Sequence, residues 1–490
     1  MQPGLVYERS TMGSYVGVFG MGVMGQSLAL NIASKGYSVS VFNRHGGATR
    51  KFMENRVHGH EERMRLVDDA YDLKSFCDSL DTPRKIILMV KAGPVVDAVT
   101  DGLLPYLKPG DIVIDAGNSY YKDTKRRMDH YAERGISFFG MGVSGGEKGA
   151  LVGPSIMPSG DRGLYDTYLA KLLTDISAHT EDGSPCCDYI GPEGSGQYVK
   201  MVHNGIEYGD IQNIDEAYWI MKQLLGMSNA EMADVFEGWN DGRLNSFLVE
   251  ITYKILREKD PETGDDLVDH ILDEAAQKDT GMWTAIDGLE MYTPIPTMAE
   301  AVFARNLSAI KGQRVEAAKA FPERPAARID DREAFLADLE QAVYANKIIA
   351  YAQGFQLLSA ASDEHGWDLR LGDIALLWRE GCIIRAGFLD RIKSAYSEGK
   401  KVVNLILTNE FREEMRSAMP AYRRVVAKAI EGGLYIPTMV TSLLYFDGYT
   451  SEKLEANLCQ AQRDWFGAHT FRRDDRPHDE SFHHTWEKLD

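Results

Sequence analysis

The chain has 490 residues, of which 44% are hydrophobic and 26% are charged, and its formal net charge is −19. This length exceeds what one ordinary core accommodates, so two or three domains are expected. The composition is that of a soluble globular protein, and no apolar run approaches the ~20 residues that a membrane span needs. The acidic balance argues against general nucleic-acid binding, although a local cluster of Arg and Lys could still bind a small anion.

The N-terminal residues and the cysteines indicate the compartment. The first residues lack the basic region and apolar stretch of a secretory signal. The cysteine count is odd and no spacing matches a metal site, which argues against a disulfide framework and predicts no metal. The cysteines are Cys77, Cys186, Cys187, Cys382 and Cys459. A reduced, cytoplasmic location is therefore expected.

The first predicted elements are a buried strand at residues 15–19, a glycine turn, a helix that stops at Gly36 and a second strand at residues 37–44. The turn has glycines at positions 20, 22 and 25. In this context the first glycine permits the tight turn, the second lets a pyrophosphate approach, and the third lets the helix pack on the strand. Phosphates are expected at the N-terminus of the helix, where unpaired N–H groups favour negative charge. The pattern predicts a dinucleotide site.

The end of the second predicted strand indicates which dinucleotide is bound. NAD sites usually carry Asp or Glu there, whereas this chain has Asn43, Arg44 and His45. No carboxylate would repel a 2′-phosphate, and Arg44 can pair with one. NADP is therefore favoured over NAD, the alternative being that Arg44 is only a surface charge.

Further predicted strands end in small or polar residues. Strands are expected at residues 85–90, 111–117 and 136–143, and they are followed by Lys91-Ala92, by Asn118 and by Ser144-Gly145-Gly146. Ligands in α/β proteins bind beyond the carboxyl ends of strands. Asn118 and the turn at Ser144 are therefore candidates to line the cleft between cofactor and substrate, although structural turns would look similar.

A stripe of mixed polar residues follows, at Lys200, His203, Asn204, Glu207 and Tyr208. Offsets of three, four, seven and eight residues fall on one face of a helix. Such a face is normally apolar, but here it carries an amine, an imidazole, an amide, a carboxylate and a phenol. The pattern predicts a helix that holds a small polar molecule, with a solvated helix face as the alternative.

Beyond residue 195 the sequence is mostly helical in period, with a faint internal repeat and a polar tail. The repeat relates Gly226, Asp234, Trp239, Phe247 and Leu248 to Gly366, Asp373, Trp378, Phe388 and Leu389, which suggests a duplicated helical unit. The tail after residue 450 has few apolar anchors, so it is either frayed or docked on a second subunit. Lys278 and Arg305, each considered alone, are more typical of surface charges.

Taken together, the motifs GMGVMG, NR, VKAG, DAGNS, GVSGGE, KMVHNGIEYGD, QKDTG, EAVFAR and QAQRDWFGAHT resemble the decarboxylating 6-phosphogluconate dehydrogenase family almost end to end. The resemblance implies an α/β Rossmann-like NADP-binding domain at 1–193, a large all-α substrate and dimerisation domain at 194–450, and a tail at 451–490 that reaches the partner subunit of a homodimer. It implies oxidation and decarboxylation of 6-phosphogluconate to ribulose 5-phosphate in the pentose phosphate pathway.

The resemblance also assigns residues. Lys200 becomes the general base and Glu207 the general acid. The substrate is implied to contact Asn118, Ser144, Gly145, Gly146, His203, Asn204, Tyr208, Lys278 and Arg305, with Arg463 and His469 arriving from the partner subunit. NADP is implied to contact Gly20, Met21, Gly22, Val23, Met24, Gly25, Asn43, Arg44, His45, Val90, Lys91, Ala92 and Asn118. The chain departs from the family at His45, where Thr is common, at Asp279, where Gly is usual, and at Met282, where many members carry Lys.

Two alternatives stay open from the sequence. One is a non-decarboxylating β-hydroxyacid dehydrogenase, which shares the glycine turn and the lysine but has a much shorter chain. The other is a nucleotide-binding protein that no longer catalyses, against which the presence of both Lys200 and Glu207 argues.

Overall fold

The computed structural model describes residues 13–44, 46–66, 72–322, 325–397 and 401–486. The chain divides into two units, Met1–Thr441 and Ser442–Asp490. Among the described residues, none of the helices combines the length and apolarity that a membrane crossing requires. The predicted domain boundaries at residues 193 and 450 stay predictions.

A seven-stranded sheet forms the core of the N-terminal region. Its strands are β1 Val16–Phe19, β2 Val39–Phe42, β3 Met64–Leu66, β4 Lys85–Leu88, β5 Ile112–Asp115, β6 Ser137–Val143 and β7 Ile156–Ser159. Their order is β3-β2-β1-β4-β5-β6-β7, and β1 to β6 pair in parallel while β7 pairs antiparallel to β6. All residues of β1, β2, β4 and β5 are buried, as expected for a parallel sheet covered on both faces. The predicted α/β Rossmann-like fold is confirmed.

Short helices connect these strands or follow the last of them. They are α1 Val23–Ser34, α2 Gly46–Arg56, α3 Leu73–Asp78, α4 Pro94–Leu103, α5 Tyr121–Ala132, α6 Gly146–Val152, α7 Arg162–Leu164 and α8 Ala170–Ile176, with a π-helical turn at Tyr165–Leu169 and 3₁₀ turns at Glu61–Arg63 and Leu104–Tyr106. The glycine turn lies between β1 and α1. Gly20 has a φ of +106°, and a Cβ on Gly25 would lie 1.8 Å from the Gly20 carbonyl oxygen. Both glycines are therefore required, for the turn and for the helix packing that the sequence predicts.

The rest of the first unit is helical. Its helices are α9 Ser195–Leu224, α10 Asn229–Asn240, α11 Phe247–Arg257, α12 Leu267–His270, α13 Asp279–Glu290, α14 Pro296–Ser308, α15 Lys311–Ala320, α16 Arg332–His365, α17 Leu371–Leu377, α18 Leu389–Ser397, α19 Arg412–Glu431 and the start of α20 Pro437–Tyr449, with a 3₁₀ turn at Leu405–Leu407. The two longest, α9 and α16, pack together through buried polar pairs. Lys347 Nζ lies 2.5 Å from Asp210 Oδ2, and Asn346 donates to Asn213 at 2.8 Å. Such pairs select one register between two helices.

The helical region has internal symmetry that agrees with the predicted repeat. Gly226 follows α9 and Gly366 follows α16, with φ of +61° and +66°. Each long helix is then followed by two shorter ones, α10 and α11 or α17 and α18. The segments that join those short helices exchange backbone hydrogen bonds: Phe247 N donates to the Arg385 carbonyl at 3.1 Å, and Gly387 N donates to the Asn245 carbonyl at 3.0 Å. This reciprocal pairing supports a duplicated unit.

A buried carboxylate joins the helical region to the sheet region. Asp287 on α13 is fully buried and accepts a hydrogen bond from Tyr121 Oη on α5 at 2.9 Å and another from Tyr198 Oη on α9. The rings of Tyr121 and Tyr198 meet edge to face at 4.9 Å. The Asp287 carboxylate therefore links the three helices α5, α9 and α13.

The second unit, Ser442–Asp490, contains the end of α20 and the helix α21 Ala456–Gly467. The chain after α21 folds back onto Asp464, whose carboxylate accepts hydrogen bonds from Thr470 N, His484 N and Trp486 Nε1 at 3.0, 3.1 and 2.9 Å. Phe471 and Phe482 also exchange backbone hydrogen bonds. The described part of the tail therefore has its own internal structure. It exposes apolar side chains, including Leu458 and Phe466.

Candidate active site

The predicted polar stripe lies on α9, which is buried on nearly all sides. Lys200, His203, Asn204 and Tyr208 are buried, and Glu207 is partly buried. The neighbouring apolar residues are buried as well, so the stripe faces the interior of the protein, and the solvated-face alternative is wrong. The helix fits closely on the sheet, because a Cβ on Gly142 of β6 would lie 2.6 Å from Lys200 Cβ.

Lys200 is held by neutral partners. Its Nζ donates to Asn204 Oδ1 at 2.6 Å and lies 3.3 Å from His203 Nδ1, while Asn204 Nδ2 donates to Thr280 Oγ1 at 3.0 Å. Burial lowers the pKa of Lys200 below its ordinary value, and the charge of Glu207 acts in the opposite direction. The site therefore favours the neutral amine more than a surface position would.

His203 links the helix to the turn after β6. Its Nε2 lies 3.2 Å from Ser144 Oγ, and its ring packs edge to face on Trp378 at 5.5 Å. Burial, together with the charge of Lys200, holds the pKa of His203 well below its usual value, so the ring stays neutral. A neutral imidazole carries one N–H and therefore donates on one side and accepts on the other.

Glu207 has the opposite perturbation. Burial raises its pKa, while the cations Lys200, Arg305 and Lys278 act to lower it. Its Oε2 lies 3.8 Å from His203 Nδ1. A carboxyl group with a raised pKa keeps its proton to higher pH and can act as an acid.

Tyr208 contacts both Lys278 and Arg305, the two residues that, considered singly, were more typical of surface charges. Its Oη accepts from the backbone N–H of Lys278 at 2.9 Å, and the guanidinium of Arg305 lies 3.5 Å from the centre of its ring. A Cβ on Gly281 would lie 2.5 Å from the Tyr208 ring, so that position has no room for a side chain. The structure therefore brings together Tyr208, Lys278 and Arg305 in one cluster beside Glu207.

A cleft of about 610 Å³ lies at the carboxyl ends of β1, β4 and β5 and reaches α13. It is lined by Gly22, Val23, Met24, Gly25, Met89, Val90, Lys91, Ala92, Ala116, Gly117, Asn118, Val143, Gln277, Lys278, Asp279 and Thr280. Asn118 and Lys278, which are predicted for the substrate, thus line the same cleft as the residues predicted for the cofactor. Asp279, one of the three departures from the family pattern, lies in this cleft, whereas Met282, another of them, is one of the exposed apolar residues.

The remaining predicted residues lie as follows. Asn43 Oδ1 accepts from the backbone N–H of Met21 at 3.1 Å, so this side chain braces the glycine turn. Arg44 is exposed just after β2, and His45 lies outside the described residues. Gly145 and Gly146 have φ of +104° and +61° at the start of α6. In the second unit, Arg463 Nη1 donates to Gln460 at 3.0 Å, and His469 packs against Phe466.

The sequence did not single out several residues that shape the site. Thr280 holds the Asn204 amide, and Gln197 Nε2 donates to the Asp115 carbonyl at 2.9 Å, three residues before Lys200. Thr280 and Gly281 both belonged to the quoted motif QKDTG, but only their contacts with Asn204 and Tyr208 explain them. A threonine or a glutamine carries no spacing signal, so these positions could not be found without the fold.

The glycine turn, the cleft beside it and the buried lysine define a Rossmann-type dinucleotide-binding protein with a helical second region. Residues 15–191 match the model of the NAD binding domain of 6-phosphogluconate dehydrogenase, and residues 196–486 match that of the 6-phosphogluconate dehydrogenase C-terminal domain. The chain belongs to the 6-phosphogluconate dehydrogenase family.

Individual relatives agree over nearly the full length. The chain is 48% identical over 476 residues to the NADP(+)-dependent, decarboxylating 6-phosphogluconate dehydrogenase of Bacillus subtilis, covering 96% of this chain and 99% of that protein. It is 49% identical over 471 residues to the decarboxylating enzyme of Salmonella typhimurium, covering 96% and 98%. Among solved structures, it resembles Plasmodium falciparum 6-phosphogluconate dehydrogenase, studied with its cofactor NADP+ and its substrate 6-phosphogluconate, with a TM-score of 0.91, 44% identity and coverage of 96% and 100%.

Proposed function

We propose that this chain oxidises and decarboxylates 6-phosphogluconate to ribulose 5-phosphate and CO2 while reducing NADP to NADPH, as a step of the pentose phosphate pathway. The observation that carries this function is the family match over residues 15–191 and 196–486, together with a buried lysine that is connected through Asn204 to Thr280 in the lining of the cleft. The non-decarboxylating alternative was expected to have a much shorter chain. The non-catalytic alternative does not explain why Lys200 and Glu207 both have perturbed pKa values.

The residues of the cleft fit a dinucleotide. A Cβ on Gly22 would meet nothing within 4 Å, so its backbone is open to a bound group. Gly22 also offers no side chain to cap the first N–H groups of α1, which leaves them available to phosphates. Arg44 is the residue we assign to the 2′-phosphate. When bound, NADP accepts the hydride that leaves C3 of the substrate.

Lys200 is the general base in this proposal. It takes the proton of the C3 hydroxyl, a role that requires the neutral amine, and its burial favours that form. Oxidation at C3 produces a β-keto acid, which loses CO2 readily because the ketone accepts the electrons of the breaking bond. Lys200, now protonated, lies ready to stabilise the developing charge on that oxygen.

Glu207 is the general acid. Loss of CO2 leaves an enediol, and a proton must be added at C1 to give ribulose 5-phosphate. Burial raises the pKa of Glu207, which keeps a proton available for this step. Seven residues separate Lys200 and Glu207, or about 10 Å along the helix, a gap that two long side chains can close on one substrate.

The substrate is held at its two ends. Tyr208, Lys278 and Arg305 are assigned to its phosphate, since their cluster supplies local positive charge in an acidic protein. Asn118, Ser144, Gly145, Gly146, His203 and Asn204 are assigned to the sugar acid.

A homodimer with shared active sites completes the proposal. Arg463 and His469 of one subunit are assigned to the substrate bound in the other, as the resemblance implies. Exposed apolar side chains support an interface in each unit by itself: Phe303 and Phe321 on the helical region, and Leu458 and Phe466 on the tail. A cytoplasmic location is proposed as well, since all five cysteines are free thiols.

The first experiment mixes the purified protein with 6-phosphogluconate and either NADP or NAD, and follows reduced nicotinamide and CO2 in parallel. Equal amounts of NADPH and CO2 are expected. Reduction without CO2 would indicate a plain hydroxyacid dehydrogenase, and no reduction would refute the proposal.

Two variants separate the catalytic roles. Lys200→Met should abolish hydride transfer while 6-phosphogluconate still binds, because the base is lost and the phosphate cluster is intact. Glu207→Gln should slow the release of ribulose 5-phosphate more than it slows NADP reduction in a single turnover. Normal turnover in this variant would remove Glu207 from the acid role.

A further inference from the structure

Two buried arginine–aspartate pairs lie at opposite ends of the neighbouring strands β4 and β5. Arg84 and Asp111 directly precede these strands, with Nη1 3.0 Å from Oδ2. Asp115 is the last residue of β5, and Arg127 on α5 lies beside it, with Nη1 3.6 Å from Oδ2. Only the second pair lies at the carboxyl ends of the strands, where the dinucleotide cleft opens.

Arg127 holds the turn that follows β4. Its side chain is 2% exposed. Its Nε and Nη2 donate to the two carboxylate oxygens of Asp97 at 2.8 and 3.1 Å, and Nη2 also donates to the Gly93 carbonyl at 3.2 Å. Gly93 has a φ of +87° and directly follows Ala92 and Lys91, which line the cleft. Arg127 therefore fixes the end of a turn that forms one wall of the cofactor site.

Asp115 holds the turn that follows β5. Its Oδ1 accepts from Gly117 N at 3.0 Å, and both Gly117 and the next residue, Asn118, line the cleft. The two turns touch, since a Cβ on Gly117 would lie 2.8 Å from the Val90 carbonyl oxygen. The two walls of the cleft are thus set by one arginine and one aspartate that face each other.

The two arginine–aspartate pairs differ in how completely their polar atoms are hydrogen-bonded. Arg84 and Asp111 are hydrogen-bonded to each other, and Asp111 also accepts from the backbone of Arg84 and of Lys108. By contrast, Arg127 Nη1 and Asp115 Oδ2 are buried and form no hydrogen bond among the described residues. Arg127 is hydrogen-bonded to Asp97 and Gly93, and Asp115 to Gly117, but the contact of 3.6 Å between the two charges adds little or nothing to stability, because desolvation costs as much as the attraction gains. Stability alone therefore does not explain why Arg127 and Asp115 face each other beside the cleft.

We propose that Arg127 and Asp115 are positioning residues that hold the two turns of the cleft, Val90–Gly93 and Ala116–Asn118, in the geometry that binds NADP. The inference rests on the proposed function only in taking NADP as the ligand. It concerns binding of the cofactor and not the chemistry at Lys200. Asp97 on α4 supports Arg127 by accepting two of its hydrogen bonds.

The test compares matched variants at the two ends of the strands. Arg127→Lys and Asp115→Asn are set against Arg84→Lys and Asp111→Asn, with the Kd for NADP measured by titration calorimetry and the free energy of unfolding measured in urea. We expect the first two variants to raise the Kd about tenfold or more, because a displaced turn misplaces every contact it makes. We expect the second two to lose at least as much stability while their Kd stays within about twofold of the unsubstituted protein.

Two outcomes would overturn the inference: an unchanged Kd in both cleft variants, or an equal rise in Kd in both pairs. Should Arg127→Lys or Asp115→Asn fail to fold, Asp97→Asn replaces them; it should raise the Kd for NADP, and an unchanged Kd would count against the inference. The KM for 6-phosphogluconate, measured at saturating NADP, should not change in Arg84→Lys or Asp111→Asn, whereas Asp115→Asn should raise it as well, because the turn that Asp115 holds also carries Asn118, which is assigned to the substrate. Because NADP binding is measured without substrate, a protein that binds NADP but does not turn over 6-phosphogluconate would refute the proposed function and leave this inference standing.

Discussion

Lys200 and Asn204 lie one turn apart on α9, and the lysine amine donates a hydrogen bond of 2.6 Å to the asparagine Oδ1. The Asn204 amide is fixed at its other end by Thr280. The amide carries no net charge, so it orients the amine while favouring the ammonium form much less than a carboxylate would. This contact makes Asn204 the natural position at which to change the charge state of Lys200.

Asn204→Asp should raise the pKa of Lys200, because an adjacent carboxylate stabilises the ammonium form and opposes the effect of burial. Since the base must be neutral, each unit of increase lowers the active fraction about tenfold at a given pH below the pKa. The rising part of the pH profile of kcat should therefore move to higher pH. Thr280→Val is the control, since it frees the amide without adding charge and should lower the rate without an alkaline shift. An unshifted profile for Asn204→Asp would contradict the assignment of Lys200 as base.

Tyr208→Phe should weaken substrate binding and leave NADP binding unchanged. The ring that supports Arg305 is retained, while the hydroxyl that contacts the Lys278 backbone is lost. We expect the KM for 6-phosphogluconate to rise about tenfold, from a lost hydrogen bond of about 1.4 kcal/mol. Arg305→Ala should cost more, because a charge is removed as well. Steady-state kinetics at saturating NADP measure the KM of both variants. An unchanged KM would show that this cluster does not bind the substrate phosphate.

Arg44→Ala should reduce the preference for NADP over NAD. The guanidinium can pair with the 2′-phosphate and has nothing comparable to bind in NAD. We expect kcat/KM for NADP to fall about tenfold or more while that for NAD changes little. Arg162→Ala, an exposed arginine that pairs with Asp166 on its own helical segment, is the matched control. Equal losses with both cofactors would show that Arg44 does not read the 2′-phosphate.

Mixing Lys200→Met with Arg463→Ala protein should restore part of the activity if active sites are shared. Each homodimer carries a defect in both of its sites, whereas a hybrid dimer contains one site with an intact Lys200 and an intact Arg463 from the partner subunit. About a quarter of the normal activity is the most that random exchange can give, since half of the dimers are hybrid and half of their sites are intact. The samples should be exchanged under mild denaturant and compared with each variant treated alone. No recovery after confirmed exchange would argue against shared sites.

Asp287→Ala should destabilise the fold more than it impairs binding. The change leaves the hydroxyls of Tyr121 and Tyr198 buried without their acceptor. Each unsatisfied buried group costs about 1–3 kcal/mol. Urea unfolding should show the loss, and the double variant Tyr121→Phe with Asp287→Ala should recover part of it because one orphaned hydroxyl is removed. A double variant no more stable than Asp287→Ala would contradict this account.

Local patterns in the sequence determined much of the fold. The strand, glycine turn and helix around residues 15–36 are specified by neighbours in the chain, since apolar runs and glycines act within a few residues. The strands β3 and β7 were not predicted. β3 has only three residues in a charged segment, and β7 contains Pro158, so neither has a clear period. Their pairing with β2 and β6 is decided by the sheet.

In the candidate site, too, the sequence predicted one part and the tertiary structure decided the other. The spacing of Lys200, His203, Asn204, Glu207 and Tyr208 placed these residues on one helix face, because a helix repeats every 3.6 residues. The spacing alone did not show whether that helix face is exposed to water or packed in the protein interior. Burial of α9 against β6 and α13 decided it, and burial is what moves the pKa of Lys200 down and that of Glu207 up.

The sequence by itself determined five of the seven strands, the glycine turn and the chemical types at the site, since these depend on residues close together in the chain. Only the tertiary structure decided which distant groups meet. Considered singly, Lys278 and Arg305 were typical of surface charges, and only the fold shows that both contact Tyr208. Arg127 and Asp115 carried no motif for a pair, and their contact arises because α5 packs beside the end of β5. Contacts between residues far apart in the chain depend on packing and desolvation, which no local spacing records.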